Sequence, residues 1–310
     1  MLAHTVRSGL IESLHRGSAI AVDTGGNVLF EHGNPDRPIF YRSAIKPLQA
    51  MVSVRVGVPL SPEEMAVNCA SHSGFPIHIA LVRKILFDAG LTEDDLQTPP
   101  GWPIAEAAHN LLVAAGHSSP RRIWHNCSGK HAGWLATCRH AGWDTATYRD
   151  PDHPLQREVR QIVEDATEMP ATPTGVDGCG APTLRGSVRG LATAFAKLSS
   201  DPQFAATAIP VHRFPGLVGG DREDSRLGAW WDGPMKGGAQ GLLGGGRNGI
   251  GIAVRSESGS SQIAVVGFIE VAGRLGLLSE AAQQALAEDA TPVVLGHGRP
   301  VGTIQPVINP

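Results

Sequence analysis

Residues 18–31 read SAIAVDTGGNVLFE, two short apolar segments on either side of a Gly-Gly pair. Glycine adopts positive φ without a steric penalty, so Gly25-Gly26 permits the tight turn that joins neighbouring antiparallel strands. The stretch therefore predicts a β-hairpin close to the start of the chain.

Further strands are predicted at the opposite end of the chain. Residues 250–255 and 262–269 are apolar segments separated by the polar stretch 256–261, and they indicate a second antiparallel pair. A terminal strand is predicted near 300–308. The Gly-rich stretch 241–249, GLLGGGRNG, favours a hairpin turn over a phosphate-binding loop.

The middle of the chain has the spacing of helices. Ser61, Pro62 and Glu64 have the residue types of an N-cap, an N1 position and an N3 position, which is a helix start. Further helices are predicted at about 76–89, 104–115, 131–141, 154–167, 184–198 and 278–288. No internal repeat or change in composition marks a linker, so a single domain, 1–310, is expected. The predicted class is α+β, with one antiparallel sheet built from both chain ends and flanked by helices.

The composition is that of an ordinary globular protein, with 42% hydrophobic and 18% charged residues in 310. The 26 Lys and Arg residues nearly balance the 29 Asp and Glu residues, for a formal net charge of −3. This balance argues against a general nucleic-acid binder or a polybasic membrane-surface protein. The chain has no apolar run of about 18 residues and begins without an apolar signal region. We therefore expect a cytoplasmic protein with no membrane or nucleic-acid partner.

A serine and a lysine lie where a short apolar stretch leads into a predicted helix. The sequence S-A-I-K places Ser43 and Lys46 three residues apart, and residues at this spacing share a helix face. A lysine with a lowered pKa can take the proton from a serine, which then acts as a nucleophile. The pattern alone favours an N-cap serine beside a solvated lysine, so its meaning depends on its context.

Two further motifs follow in an order known from serine acyl hydrolases. The sequence S-H-S-G at 71–74 ends the helix that starts at Ser61, and K-G-G at 236–238 enters a predicted strand. Each motif alone fits a helix end or a surface turn. Together with S-x-x-K they occur in the order found in penicillin-binding proteins and serine β-lactamases, which makes the combination more specific than its parts.

Two of the four cysteines, Cys127 and Cys179, lie in polar stretches bracketed by glycine. Two thiolates suit zinc, which is bound by sulfur and nitrogen ligands, and a third ligand could come from Lys130 or His131. A buried structural thiol or a lone reactive cysteine is the alternative at each position. The remaining cysteines, which lie in predicted helices and fit structural thiols, are Cys69 and Cys138.

Five motifs in this order resemble the type 3, zinc-binding serine class of L-asparaginases, also called asparaginase II. The motifs are S-A-I-K-P-L-Q at 43–49, C-A-S-H-S-G at 69–74, H-N-C-S-G-K-H at 125–131, D-G-C-G-A-P at 177–182 and K-G-G-A-Q-G at 236–241. The resemblance covers almost the whole chain. It implies a fold similar to that of glutaminases and serine β-lactamases, a homodimer, and hydrolysis of L-asparagine to aspartate and ammonia.

The resemblance also implies roles for individual residues. The implied catalytic residues form two serine–lysine pairs, Ser43 with Lys46 and Ser71 with Lys236. The implied Zn²⁺ ligands, completed by water, are Cys127, Lys130 and Cys179, and the lysine must be neutral to bind. The implied substrate-binding residues are Arg42, His72, Asp177 and Gly238.

In the mechanism that follows from these pairs, neutral Lys46 takes the proton from Ser43, which attacks the side-chain amide carbon of asparagine. Ser71 and Lys236 pass the proton to the departing ammonia and help to activate the hydrolytic water. At the level of sequence, the roles of the two serines can be exchanged.

Two positions depart from the pattern of the family. Phe75 stands where an acidic residue is expected after S-H-x-G, and Gln240 stands where the family usually has glutamate. These departures keep open a non-catalytic protein that binds zinc or an amino acid. The order of the serine and lysine motifs keeps open a β-lactamase-like or peptidase-like serine hydrolase.

Overall fold

The computed structural model describes residues 1–309 as an α+β protein with antiparallel sheets, which confirms the predicted fold class. The strands are β1 (Ala3–Arg7), β2 (Leu10–His15), β3 (Gly17–Asp23), β4 (Val28–His32), β5 (Ile39–Phe40), β6 (Gly175–Val176), β7 (Pro182–Thr183), β8 (Arg185–Gly186), β9 (Met235–Gly238), β10 (Leu242–Arg247), β11 (Ile250–Ser256), β12 (Val293–Gly296) and β13 (Arg299–Pro306). The α-helices are α1 (Lys46–Val56), α2 (Pro62–Asn68), α3 (Pro76–Asp88), α4 (Glu106–Ala114), α5 (Ser128–Ala141), α6 (Pro154–Thr167), α7 (Val188–Leu198), α8 (Ala205–Arg213), α9 (Pro215–Gly219), α10 (Glu223–Gly228), α11 (Ser261–Arg274), α12 (Glu280–Ala285) and α13 (Ala287–Ala290). Short 3-10 helices are Arg42–Ile45, Glu93–Asp95, Arg122–Trp124 and Pro202–Phe204.

Strands from both chain ends pair, as the sequence predicts, but they form two main sheets instead of one. The orders are β4-β3-β11-β10-β9 and β12-β13-β1-β2. The predicted hairpin at 18–31 is the β3–β4 pair of the five-stranded sheet, in which Ala21 lies opposite Ile252. The second sheet arises because the residues before Gly17 form a hairpin of their own, which pairs with the terminal strand β13.

The predicted strand at 262–269 is wrong, because this segment lies within helix α11. An apolar run of eight residues fits a buried strand and a buried helix equally well, and its surroundings decide between them. Here the Ser260 hydroxyl caps the helix by accepting a hydrogen bond from the backbone N–H of Ile263. The helix lies on the five-stranded sheet with its apolar residues buried.

The Gly-rich stretch GLLGGGRNG is mostly strand β10, which corrects the prediction that it forms only a turn. A side chain at Gly244 would collide with Phe195 of α7, and one at Gly245 would press on Phe268 of α11. Glycine therefore lets one helix lie close on each face of the sheet. The turn itself begins at Asn248, which has a φ of 50°.

The helical middle of the chain largely follows the prediction. The helix at 154–167 has the predicted bounds, and Ser61 and Glu64 form the expected capping box. The helix predicted at 184–198 begins only at Val188, because a short strand precedes it. None of the helices within residues 1–309 is long and apolar enough to cross a membrane.

Candidate active site

The predicted serine–lysine pair lies at the start of α1. Arg42–Ile45 form a single 3-10 turn, and Lys46 is the first residue of the α-helix. The side chain of Lys46 is 1% exposed, so its amine lies in the protein interior. Ser43 is half-buried and lines a cavity of about 180 Å³, which Ser71 also lines. The hydroxyl groups of both predicted serines therefore line one cavity beside a buried amine.

The amine of Lys46 is held by three acceptors. Lys46 Nζ donates hydrogen bonds to Ala70 O at 2.6 Å and to Ser71 Oγ at 2.9 Å. It also lies 3.3 Å from the Sγ of Cys127. Burial lowers the pKa of Lys46, and the thiol of Cys127 opposes this effect. The amine thus contacts the hydroxyl of Ser71, and no hydrogen bond joins it to Ser43 in the described structure.

Ser71 lies in the irregular segment that follows α2, and backbone hydrogen bonds hold this segment in place. The backbone N–H of Ser71 donates to Val218 O at 2.9 Å, and that of His72 donates to Asn126 O at 3.0 Å. These hydrogen bonds tie the S-H-S-G segment to two other parts of the chain. The contact between Ser71 and Lys46 is therefore set by tertiary structure.

The second predicted lysine, Lys236, is fully buried on β9. Its Nζ donates to Gly237 O at 2.7 Å and lies 3.5 Å from Asp224 Oδ2. Burial lowers its pKa to about 7; Asp224 acts in the opposite direction, and the nearby side chains of Arg222 and Lys46 lower it further. The structure therefore pairs Lys236 with a carboxylate, while Ser71 contacts the other lysine.

Asp224 is a residue of this site that the sequence analysis missed. It lines the serine cavity, accepts a hydrogen bond from the Gly237 backbone N–H at 3.0 Å, and pairs with Arg222 at 3.1 Å. Burial raises the pKa of Asp224, but the cations of Lys236 and Arg222 outweigh it and hold the carboxyl well below its usual range. The D-R-E-D run at 221–224 is visible in the sequence, but its spacing matches no motif.

Gly238 brings strand β9 close to the segment that carries Ser43. A Cβ at Gly238 would lie 3.0 Å from the backbone N of Ala44, so a larger residue would push the two segments apart. Gly238 also lines the serine cavity. The full lining of this cavity is Ser43, Ser71, Asn126, Arg222, Glu223, Asp224, Gly237, Gly238, Ala239, Leu242, Leu243, Ser261, Ala264 and Val265.

His72 is fully buried beside the cavity and does not line it. The hydroxyl of Ser128 donates to Ile123 O at 2.7 Å, so it accepts the hydrogen bond from His72 Nε2 at 2.8 Å. His72 Nδ1 then carries no proton and has no hydrogen-bond partner within residues 1–309. Burial, followed by His78, lowers the pKa of His72 well below its usual value, so the ring is neutral.

Arg42 and Asp177 form an ion pair with each other. Arg42 Nε and Nη2 lie 2.8 and 2.6 Å from Asp177 Oδ1, respectively. Arg42 lines a neighbouring cavity, and neither residue lines the one that holds Ser43 and Ser71. Of the four predicted substrate-binding residues, the structure thus brings Gly238 alone to the wall of the serine cavity.

The predicted zinc ligands lie together next to Lys46. Lys130 Nζ lies 3.5 Å from Cys179 Sγ, and Lys46 Nζ lies 3.3 Å from Cys127 Sγ. The neighbouring Cys179 holds the pKa of Cys127 well below its ordinary value despite burial, and the amines of Lys46 and Lys130 lower it further. For Lys130, burial acts to lower the pKa, but both thiols outweigh it and raise the pKa.

The donor types at these residues fit a zinc ion, which would displace a proton from Lys130, because the two thiols raise the pKa of that amine. Two sulfur atoms and the Lys130 nitrogen converge, and nitrogen and sulfur are the ligands that zinc prefers. His131 Nε2 is buried in the same place without a hydrogen-bond partner, while its Nδ1 lies 2.7 Å from Tyr148 Oη. No cluster of three His, Cys, Asp or Glu side chains suited to a metal occurs within residues 1–309, so the lysine is essential to this set.

The two departures from the family pattern lie outside the serine cavity. Phe75 is the N-cap residue of α3, and its ring lies 6.2 Å from that of His78. Gln240 lines the neighbouring cavity and has a φ of 65°, in the left-handed region. Neither residue lines the wall around Ser43 and Ser71.

The α+β fold, with two hydroxyl groups and a buried amine around one cavity, is an arrangement suited to nucleophilic hydrolysis. The family model of L-asparaginase II matches residues 3–306. The chain therefore belongs to the L-asparaginase II family. Membership of this family supports an amidohydrolase function for the protein.

Solved structures of Mglu are also similar to this chain. The structure of Mglu in its native form has 16% sequence identity and a TM-score of 0.47, and the match covers 89% of this chain and 68% of that chain. For Mglu in its glutamate form the identity is 15% and the TM-score 0.47, with 89% and 65% covered. No curated protein matches the sequence significantly. The family assignment therefore rests on the match over residues 3–306.

Proposed function

We propose that the protein is an L-asparaginase, which hydrolyses the side-chain amide of L-asparagine to L-aspartate and ammonia. The observation that carries this proposal is the pair of hydroxyl groups, Ser43 and Ser71, on one cavity, with the buried amine of Lys46 hydrogen-bonded to Ser71. A nucleophile and a base within hydrogen-bond distance of each other are the requirement for attack on an amide.

Ser43 is the nucleophile in this proposal, because it is more exposed than Ser71, the serine whose hydroxyl Lys46 contacts. Its Oγ forms a bond to the amide carbon, and its proton passes through Ser71 to Lys46. The carbon–nitrogen bond then breaks, and the proton returns to the nitrogen, which leaves as ammonia. Lys46 thus acts through the hydroxyl that it contacts.

Lys236 serves the second half of the reaction. Water attacks the ester at Ser43, and its proton passes to neutral Lys236 and then to Ser43 Oγ as the carbon–oxygen bond breaks. A pKa of about 7 suits this role, because the amine can exchange a proton near neutral pH. Asp224 positions the amine and restrains the fall in its pKa.

The charges on the cavity wall suit an amino-acid substrate. Arg222 and Glu223 are adjacent in the chain and both line the cavity. They offer opposite charges to the α-carboxylate and the α-ammonium group. The volume of about 180 Å³ limits the site to a small substrate.

The proposal is tested by measuring ammonia release from asparagine and glutamine. We expect Ser43→Ala and Ser71→Ala each to lower kcat on the order of 10³-fold or more, since the serines act as a unit with Lys46. Ser119→Ala, at an exposed serine far from the cavity in sequence, is the control and should retain full activity. An electrophilic asparagine analogue should label Ser43, as identified by peptide mass mapping.

Other outcomes of this assay point to other functions. Full activity of Ser43→Ala would overturn the assignment of the nucleophile. Asparagine binding without ammonia release by the wild-type protein would select a binding protein. Labelling of Ser43 by penicillin, with no asparagine turnover, would select a β-lactamase-like or peptidase-like hydrolase.

We also propose that Zn²⁺ binds to Cys127, Lys130 and Cys179. When bound, the ion would supply a Lewis acid that orients the substrate. The support for this site is the convergence of two thiols and an amine in the protein interior.

Metal analysis tests this site without reference to activity. Protein purified without a chelator is expected to contain about one zinc ion per chain, as a single ligand set of this kind provides. Cys127→Ser and Cys179→Ser should each lose most of it, because a hydroxyl is a poor zinc ligand. Cys138→Ser is the control, since this buried thiol lies elsewhere on α5. A zinc-free wild-type protein would contradict the proposal.

The resemblance implies a homodimer, and we propose this assembly together with a cytoplasmic location. Light scattering of the purified protein is expected to give twice the mass of one 32.6 kDa chain. A mass of one chain at micromolar concentration would count against the dimer.

A further inference from the structure

A second cavity of about 440 Å³ lies next to the serine cavity. The two cavities share no lining residue, but at two places residues that are adjacent in sequence line different cavities. Arg42 lines one cavity and Ser43 the other, and Gln240 and Ala239 are divided in the same way. The larger cavity is therefore a neighbouring site with its own chemistry.

The charge of this second cavity is unbalanced. Its lining includes three arginines and a single carboxylate: Arg37, Arg42, Arg255 and Glu257. Arg37 pairs with Glu257 at 3.1 Å, and Arg42 pairs with Asp177 outside the lining. The lining as a whole thus carries an excess of positive charge.

Of the three arginines in this lining, Arg255 is the one that has no carboxylate partner in the described part of the chain. It lies on β11, is half-buried, and donates from Nε to Ser256 O at 3.2 Å. Burial lowers the pKa of Arg255, the positive charge of Arg37 lowers it further, and Glu257 compensates only in part. A guanidinium that is half-buried among other guanidinium groups is stabilised by a bound anion.

Part of the cavity wall is apolar. Ile39, Phe40 and Val188 line it, and Phe40 is 41% exposed although its ring is large and apolar. Hydroxyl and amide groups of Ser18, Asn34 and Gln240 complete the wall. A cavity of this volume with apolar walls and a few polar groups has the character of a small-molecule site.

We propose that this cavity binds a small organic anion, a carboxylate or phosphate group carried on a planar apolar body. Arg255 and Arg37 hold the anionic group, and the body lies against Phe40. Arg42 remains with Asp177 and adds positive potential at the end nearest Ser43. This site is distinct from the proposed amide-hydrolysing site and does not depend on that activity.

Titration calorimetry on the full-length protein tests the proposal with four probes. Phenyl phosphate and 3-phenylpropionate carry both features, inorganic phosphate carries the anion alone, and benzyl alcohol carries the ring alone. We expect saturable binding of at least one of the first two probes, at least about tenfold tighter than that of inorganic phosphate and benzyl alcohol. The one that binds tighter identifies whether the natural ligand is a carboxylate or a phosphate.

Substitutions of the lining residues test whether the probe binds in this cavity. Arg255→Gln and Arg37→Gln are each expected to weaken binding about tenfold, and Glu257→Gln to tighten it, because it removes the opposing carboxylate. Arg157→Gln, at an exposed arginine on α6, is the control and should bind like the wild type. Arg37 and Glu257 form an exposed ion pair, so substitution of either residue should leave the fold intact. These two variants therefore keep the test valid even if Arg255→Gln fails to fold.

Three results would overturn the proposal. One is the absence of saturable binding by both phenyl-bearing anions. Another is unchanged affinity in the Arg37 and Glu257 variants. The last is displacement of the bound probe by asparagine in simple competition, which would place the probe in the serine cavity. The Ser43→Ala variant should bind the probe normally, so failure of the proposed amidase activity is distinguishable from failure of this site.

Discussion

At the scale of single residues, the site depends on two buried lysines in different surroundings. Lys46 has a backbone carbonyl, a hydroxyl and a thiol around its amine. Lys236 has a carbonyl and the carboxylate of Asp224. A buried amine loses its proton more easily than one in water, and a nearby carboxylate opposes this. The two amines therefore have different immediate partners, although Lys46 also lowers the pKa of Lys236.

The pKa of Lys236 predicts a pH dependence for the second half of the reaction. Lys236 must be neutral to accept a proton, and with a pKa of about 7 the neutral fraction increases as the pH rises through this value. The rate of aspartate release after the first ammonia burst is therefore expected to rise with pH and to level off above about 8. The measurement is a single-turnover pH profile.

Asp224→Asn tests whether Lys236 is the group that causes this pH dependence. The ionisable groups around Lys236 are Asp224, Arg222 and Lys46, and only the first of them raises its pKa. Loss of the carboxylate leaves burial and the positive charge of Arg222 unopposed, so the rising limb of the profile should move to lower pH. A limb that stays in place or moves to higher pH would show that another group titrates.

At the scale of elements, helix α5, whose start carries two of the three proposed zinc ligands, Cys127 and Lys130, lies very close to α2. Gly129 is in its first turn, between Cys127 and Lys130 in sequence. A Cβ at this position would lie 2.6 Å from Val67 Cγ1 and would also collide with the backbone of α2. Glycine is thus required by packing where the two helices meet.

Gly129→Ala is expected to lower the free energy of unfolding by about 1–3 kcal/mol, because a methyl group must displace the backbone of α2. Gly273→Ala is the matched control on α11, where a Cβ would meet no atom within 4 Å. That substitution should be neutral or stabilising by up to about 1 kcal/mol, the difference in helix propensity. Urea denaturation measures both, and equal effects at the two positions would contradict the packing argument.

At the scale of the whole molecule, the chain ends hold the structure together. Strand β13 pairs with β1, and the five-stranded sheet joins β3 and β4 to strands from beyond residue 234. Ile308 is fully buried and packs near Leu2 and Gly267. Such long-range pairing leads us to expect that the chain unfolds as one cooperative unit, in keeping with the prediction of a single domain.

Ile308→Ala tests this expectation. Removal of a fully buried isoleucine side chain is expected to lower the free energy of unfolding by about 2–5 kcal/mol. Ile77→Ala, at a residue that is 54% exposed, should change it far less. Tryptophan fluorescence and far-UV circular dichroism should give one coincident transition. Two separate transitions, with only one shifted by Ile308→Ala, would show that the chain contains two domains.

Local patterns predicted those parts of the fold that local physics determines. The Gly-Gly turn between β3 and β4 and the capping box at Ser61 need only neighbouring residues, and both are present. The segment at 262–269 was assigned to a strand, because an apolar run has no period that separates a buried helix from a buried strand. Its helical state depends on the Ser260 cap and on the sheet that it covers.

The candidate site shows the same division. The motifs identified Ser43, Lys46, Ser71 and Lys236 as candidates by residue type and order. They could not predict which lysine contacts Ser71, because this depends on backbone hydrogen bonds to residues far away in the chain. Asp224 was missed because a carboxylate gains meaning only when a buried amine lies beside it.

The α+β class, the hairpin, most helices and the candidate serines and lysines could be predicted from local patterns. Spacing, turn residues and caps act between neighbours, so they are visible in the amino-acid order. The division into two sheets, the contact of Lys46 with Ser71, the carboxylate beside Lys236 and the separate arginine-lined cavity could not. These features arise from burial and from contacts between distant segments, and both exist only after the chain has folded.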